Sequence, residues 1–210
     1  MTDALDRLRA AAVVAVLRAD AAQDAVRSAD ALVAGGVRAI ELTYTTPDAA
    51  AAIREVRTRH GDDVLLGAGT IRTAAQVEEA VAAGAAFLVT PHLHPPLLDA
   101  MVATGRLAVP GTFTPSEVAT ALDAGAPAVK LFPAATAGIG HMRALRGPFP
   151  GLEVMPTGGI GAAEVRAWLD AGALAIGAGS ELCPPALVRE GRWDAITATA
   201  RAFLREAVDR

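Results

Sequence analysis

The chain has 210 residues, 52% of them apolar, with 19 basic against 23 acidic residues and a formal net charge of −4. That length suits one large domain, a barrel or an open α/β sheet. The acidic balance argues against the basic stripe of a nucleic-acid binder, the single cysteine, Cys183, excludes an intramolecular disulfide or a cysteine metal cluster, and no apolar run approaches the ~18 residues of a membrane span.

The first residues, Met1-Thr2-Asp3-Ala4-Leu5-Asp6-Arg7, carry early acids and no signal-peptide pattern, so the expectation is a cytoplasmic protein with neither a membrane nor a nucleic acid as partner. Residues 5–12 read as a short leading helix. Near-continuous apolar runs follow at 13–18, 39–43, 64–69, 87–90, 107–110, 128–132, 153–157 and 174–177. Such runs suit parallel strands covered on both faces. Helical patterns lie between them at 21–34, at 74–83, from Pro115 to just before Gly125, and at 161–171, with a closing helix at 193–208. An Ala-Gly ending recurs before a strand, at Ala34-Gly35, Ala83-Gly84, Ala124-Gly125 and Ala171-Gly172. Eight strands alternating with helices predict a single-domain (β/α)8 TIM barrel over residues 1–210. A doubly wound open sheet is the alternative, weakened because no strand–GxGxxG–helix unit follows the first strand. In a barrel the chemistry sits at the carboxyl ends of the strands.

The chain holds 50 alanines, and 18 of its 19 basic residues are arginine. The one lysine, Lys130, lies in Ala128-Val129-Lys130-Leu131-Phe132-Pro133. A lysine in a core strand is costly, and burial of an amine favours its neutral form, which can attack a carbonyl. The alternative is a lysine snorkelling at a barrel rim. By strand alternation Lys130 and Phe132 share a face. Glu41 is an acid inside the apolar strand Ala39-Ile40-Glu41-Leu42-Thr43, placed to act as a general base or to form an ion pair with Lys130 or Arg18. Arg18 ends the first strand, where its fork suits a carboxylate, unless it is one more solvated cation. Thr157-Gly158-Gly159 and Gly177-Ala178-Gly179-Ser180 end the last two strands as glycine-rich loops, a frequent barrel phosphate site. His92 and His94 lack an evident third ligand, so no metal is expected.

These residues, in this order, resemble the 2-keto-3-deoxy-6-phosphogluconate aldolase / 4-hydroxy-2-oxoglutarate aldolase family over essentially the whole chain. The marks are Val14-Ala15-Val16-Leu17-Arg18-Ala19, Glu41 in its strand, Gly67-Ala68-Gly69-Thr70-Ile71, and Val89-Thr90-Pro91-His92-Leu93. They continue with Val109-Pro110-Gly111, Thr114-Pro115-Ser116-Glu117, Val129-Lys130-Leu131-Phe132-Pro133, Arg146-Gly147-Pro148-Phe149-Pro150 and Pro156-Thr157-Gly158-Gly159-Ile160. The resemblance implies a homotrimeric class I aldolase that uses neither a metal nor another cofactor. Its imine-forming lysine falls on Lys130 and its proton-transfer glutamate on Glu41. Its substrate contacts fall on Thr70, Pro91, Phe132 and Thr157, and its phosphate contacts on Gly158, Gly159 and Ser180. The implied reaction splits a 2-keto-3-deoxy-6-phospho sugar acid, of the gluconate or the galactonate series, or 4-hydroxy-2-oxoglutarate. Many members carry an arginine four residues after the glutamate. Here that position is Thr45, which makes Arg18 the better candidate for the substrate carboxylate. A phosphate-binding isomerase or epimerase, and a non-catalytic sugar-acid binder, are the competing readings.

Overall fold

The computed structural model describes residues 2–208. Eight of the nine strands overlap the apolar runs, and β6 lies just beyond one: β1 (Val13–Leu17), β2 (Ala39–Thr43), β3 (Leu65–Gly69), β4 (Phe87–Val89), β5 (Leu107–Val109), β6 (Gly111–Thr112), β7 (Val129–Leu131), β8 (Val154–Pro156) and β9 (Ile176–Ala178). They form two parallel ladders. One is a six-stranded sheet curled into a half-barrel, in the order β5-β4-β3-β2-β1-β9, and the other is the trio β6-β7-β8. The order runs consecutively down to β1 and then meets the last strand. A doubly wound sheet would reverse beside its first strand.

The expected single closed ladder of eight strands is corrected in two respects: it is divided within residues 107–112, and β8 and β9 do not pair as strands. The run at 107–110 continues to Thr112, and Pro110, which has no N–H to donate, divides it. β5 pairs with β4, and β6 pairs with β7. The Pro110 carbonyl accepts from the Lys130 backbone N–H at 2.8 Å. On the far side, Leu174 N–H donates to the Val154 carbonyl at 2.8 Å, and Thr157 bridges to Gly177.

The helices are α1 (Thr2–Ala11), α2 (Ala22–Ala34), α3 (Ala49–His60), α4 (Ala74–Ala82), α5 (Pro95–Ala103), α6 (Pro115–Asp123), α7 (Ala134–Arg146), α8 (Ala162–Asp170), α9 (Pro185–Arg189) and α10 (Trp193–Val208). No helix among the described residues is long and apolar enough to cross a membrane.

Side-chain alternation along the strands separates two apolar layers. Val13, Ala15, Leu17, Ile40, Leu42, Val129 and Leu131 pack outward against the helices. Val14, Ala39, Leu65, Phe87, Leu107 and Met155 form the inner layer, joined at one end by Leu8 of α1. The inner layer is apolar toward the amino ends of the strands. Toward their carboxyl ends it turns polar, with Glu41, Lys130 and Thr157 all buried. That change of character places the site.

The entry to α6 shows how local sequence fixes an element. The Thr114 hydroxyl accepts from the Glu117 N–H at 3.3 Å, and the Glu117 carboxylate accepts from the Thr114 N–H at 2.7 Å, a reciprocal capping box. Burial pushes the Glu117 carboxyl up. Hydrogen bonds from the backbone of Thr114 and Phe113 and from the Thr114 hydroxyl outweigh it and hold the group below its ordinary value. The folded-state value therefore lies under the unfolded one. The carboxylate's contribution to stability is complete above the unfolded value and is lost as pH falls through the folded one. Thr114→Ala is expected to cost about 1 kcal/mol at neutral pH, a loss of roughly 2–4 °C in Tm. Glu117→Gln should lower Tm at neutral pH, and the gap from the parent should close on acidification. A gap that stays constant with pH in thermal melts would contradict this account.

Candidate active site

A cavity of about 400 Å³ opens at the carboxyl ends of the strands. Lys130 reaches it from β7, its backbone held by the Pro110 carbonyl and its neighbours Val129 and Leu131 turned to the outer layer. Its Nζ donates to Glu41 Oε1 at 3.3 Å, with side-chain exposures of 6% and 0%. β3 makes room for this pair. A Cβ on Gly69 would overlap the Glu41 carboxylate, and one on Gly67 would overlap the Phe87 ring. Glu41 Oε2 is buried and has no protein hydrogen-bond partner. Nζ lies 5.5 Å from the centroid of the Phe132 ring, which is 37% exposed and forms an apolar wall.

The other residues singled out in the sequence converge on the same cavity. Arg18, Thr70, Pro91, Phe132, Thr157, Gly158, Gly159 and Ser180 all line it. Glu41 lies behind the lining, touching Lys130. Thr70, just past β3, has φ 53°. That is an uncommon conformation for a β-branched residue and stores about 1–3 kcal/mol of strain. Pro91 is packed so closely that a Cβ on Gly111 would overlap its backbone. Gly158 and Gly159, at φ 96° and 72°, form a turn that other residues rarely adopt, just before α8. Arg18 is exposed at the rim, and its Nε donates to Thr45 Oγ1 at 2.8 Å. His92 and His94 stand with ring centroids 6.3 Å apart. Among the described residues no group of three or more His, Cys, Asp or Glu gathers around an ion.

The sequence reading missed part of the wall. Asp20, Asp24, Glu181, Cys183 and Arg189 also line the cavity. Most of them come from the segment through α9, a five-residue helix. Its one sequence signal was Pro184-Pro185, since proline favours a first helical turn. Burial pushes the Cys183 thiol up to about 11, so it stays protonated and inert near neutrality. A thiol-specific reagent at pH 8 is expected to leave the folded protein unlabelled and to label one thiol in denaturant. Rapid labelling of the folded protein would refute that placement.

A parallel α/β fold places one buried amine against one carboxylate beneath a cavity at its strand ends, the arrangement that an enzyme working through a lysine requires. The comparisons agree. The sequence profile of the KDPG and KHG aldolases matches residues 5–199. The chain is 39% identical over 201 residues to the 2-dehydro-3-deoxy-phosphogluconate aldolase of Dickeya dadantii, covering 95% of this chain and 94% of that protein. It is 37% identical over 207 residues to the KHG/KDPG aldolase of Escherichia coli K12, covering 98% and 97%. It is also similar to the crystal structure of the KDPG aldolase of Legionella pneumophila with pyruvate captured at low pH as a covalent carbinolamine, at TM-score 0.88 and 32% identity over 95% of this chain and 97% of that one. The chain belongs to the KDPG and KHG aldolase family.

Proposed function

We propose that this chain is a class I aldolase cleaving 2-dehydro-3-deoxy-6-phosphogluconate to pyruvate and glyceraldehyde 3-phosphate. 4-Hydroxy-2-oxoglutarate, giving pyruvate and glyoxylate, is a second substrate of the same chemistry. The observation that carries the reading is the 3.3 Å contact between Lys130 Nζ and Glu41 Oε1 at the cavity floor.

In this mechanism the neutral Lys130 amine adds to the C2 ketone, and the carbinolamine loses water to give an iminium. Glu41, through a bridging water, takes the C4 hydroxyl proton. The C3–C4 bond breaks, its electron pair moves to C3 and is drawn into the iminium, and the aldehyde departs. The resulting enamine takes a proton at C3, and water hydrolyses the imine to release pyruvate and the free amine. Arg18 holds the substrate carboxylate by its fork. Thr70, Pro91, Phe132 and Thr157 orient the keto acid. The backbone N–H groups of Gly158 and Gly159, with Ser180, hold the phosphate. The competing isomerase chemistry gives Lys130 no task.

The test is borohydride reduction in the presence of pyruvate, followed by peptide mapping. A reduced pyruvate adduct on Lys130 is expected. With one lysine in the chain the N-terminal amine is the rival site. Absence of an adduct in folded protein would overturn the imine chemistry.

The same reading extends to a closed eight-stranded barrel forming a single domain, with residues 107–112 counted as one strand and β8 joined to β9. It extends also to a cytoplasmic homotrimer, for which the family resemblance is the support. Light scattering of the purified protein should return three times the 21.3 kDa chain mass, and a monomeric mass would remove the trimer.

A further inference from the structure

We infer that Thr45 is a positioning residue that aims Arg18 at the substrate carboxylate, through a directed chain of hydroxyl hydrogen bonds. The inference rests on the reading above in which Arg18 holds that carboxylate.

The chain has three links. Arg18 Nε donates to Thr45 Oγ1 at 2.8 Å, Thr45 Oγ1 lies 2.8 Å from Thr43 Oγ1, and Thr43 Oγ1 donates to the Leu17 carbonyl at 3.1 Å. Proton bookkeeping fixes its direction. A guanidinium only donates and a carbonyl only accepts. The single Thr43 proton goes to Leu17, so the Thr45 proton must go to Thr43. That leaves a lone pair on Thr45 oxygen facing Arg18, and no hydroxyl in the chain has a spare donor.

The links close a ring. Leu17 and Arg18 are neighbours in sequence, so the relay leaves Arg18 by its side chain, crosses to β2, and returns to the peptide that precedes it. Thr43, wholly buried on β2, anchors the turn of the ring. The guanidinium is thereby fixed relative to its own backbone through Nε. Its two terminal nitrogens have no hydrogen-bond partner among the described residues, and Arg18 lines the cavity together with Lys130 and Thr70. Held at one edge and free at the other, the planar group presents the two-pronged face that matches a carboxylate. A bare arginine on a flexible stem would have to be ordered at the moment of binding.

Thr45 itself is exposed at the rim, so removing its hydroxyl opens no core cavity. Thr45→Val keeps the shape and deletes both the proton and the lone pair. We expect KM for the keto-acid substrate to rise about tenfold with kcat within about twofold and Tm unchanged. Thr45→Ser should return KM close to the parent value. Arg18→Leu should raise KM further, and Thr45→Val added to Arg18→Leu should have no additional effect, as for residues acting through one group.

Three results would overturn the inference. One is an unchanged KM in Thr45→Val while Arg18→Leu raises it, which leaves the proposed function standing. Another is a multiplicative double mutant, which makes Thr45 act independently of Arg18. The third is an unchanged KM in Arg18→Leu with the Lys130 adduct intact, which removes the carboxylate role of Arg18 and this inference with it.

Discussion

Lys130→Arg is expected to abolish aldol cleavage, by roughly 10⁴-fold or more, although it conserves the charge. Arginine is not deprotonated in proteins and has no amine to form an imine. The larger head must also fit where Nζ now sits 3.3 Å from a fully buried carboxylate. A second variant separates chemistry from crowding. Lys130→Met has nearly the same reach, lacks the amine and fits the space. It leaves Glu41 unpaired in the interior, and breaking a buried pair in this way costs about 3–5 kcal/mol. Its melt must be recorded beside its activity. Both variants should give no adduct with pyruvate and borohydride. Activity above about 1% of the parent in either folded variant would sink the covalent mechanism.

Glu41→Gln is expected to lower kcat by about 10²–10⁴-fold, the usual worth of a positioned acid or base. The amide keeps the volume and an acceptor for Lys130 Nζ, so the fold should survive. It cannot take a proton from the C4 hydroxyl. The pyruvate adduct should still form in this variant, since addition of the amine to the ketone needs Lys130 above all. Cleavage and adduct formation would then separate, which a merely structural ion pair would not produce. Retention of cleavage at the parent rate would reassign the base.

The two residues behind these predictions were legible because each is a charge inside an apolar run. Glu41 sits between Ile40 and Leu42, and Lys130 between Val129 and Leu131; alternation alone turns the charges inward and the hydrocarbons outward. The strands were legible for the same reason. The break at Pro110 was not, because a run of apolar residues does not reveal which partner each residue pairs with. Of the helices, α2, α4, α6 and α8 carry clear periodicity and terminal glycines. α7 contains Gly138 at φ 71°, ψ 164°, outside helical conformation, and its pattern is broken there. α5 begins on Pro95-Pro96 and α9 has five residues, too short for a period to show. At the site, Arg18 was marked by its strand-end position. Its bond to Thr45 joins residues 27 apart, a relation that exists once β1 and β2 lie side by side.

The glycine at 69 and the glutamate at 41 share a single volume, since a methyl on one would overlap the carboxylate of the other. This ties the two positions together in sequence drift. A change at 69 alone displaces the proposed proton-transfer group from Lys130. Shortening residue 41 to aspartate makes space at 69, but it draws the carboxyl back by one methylene from the amine. Every single-step route between different pairs therefore passes through a protein whose acid is out of place. Alternatives at 69 are open only to simultaneous change, and the pair is expected to persist or to be replaced together.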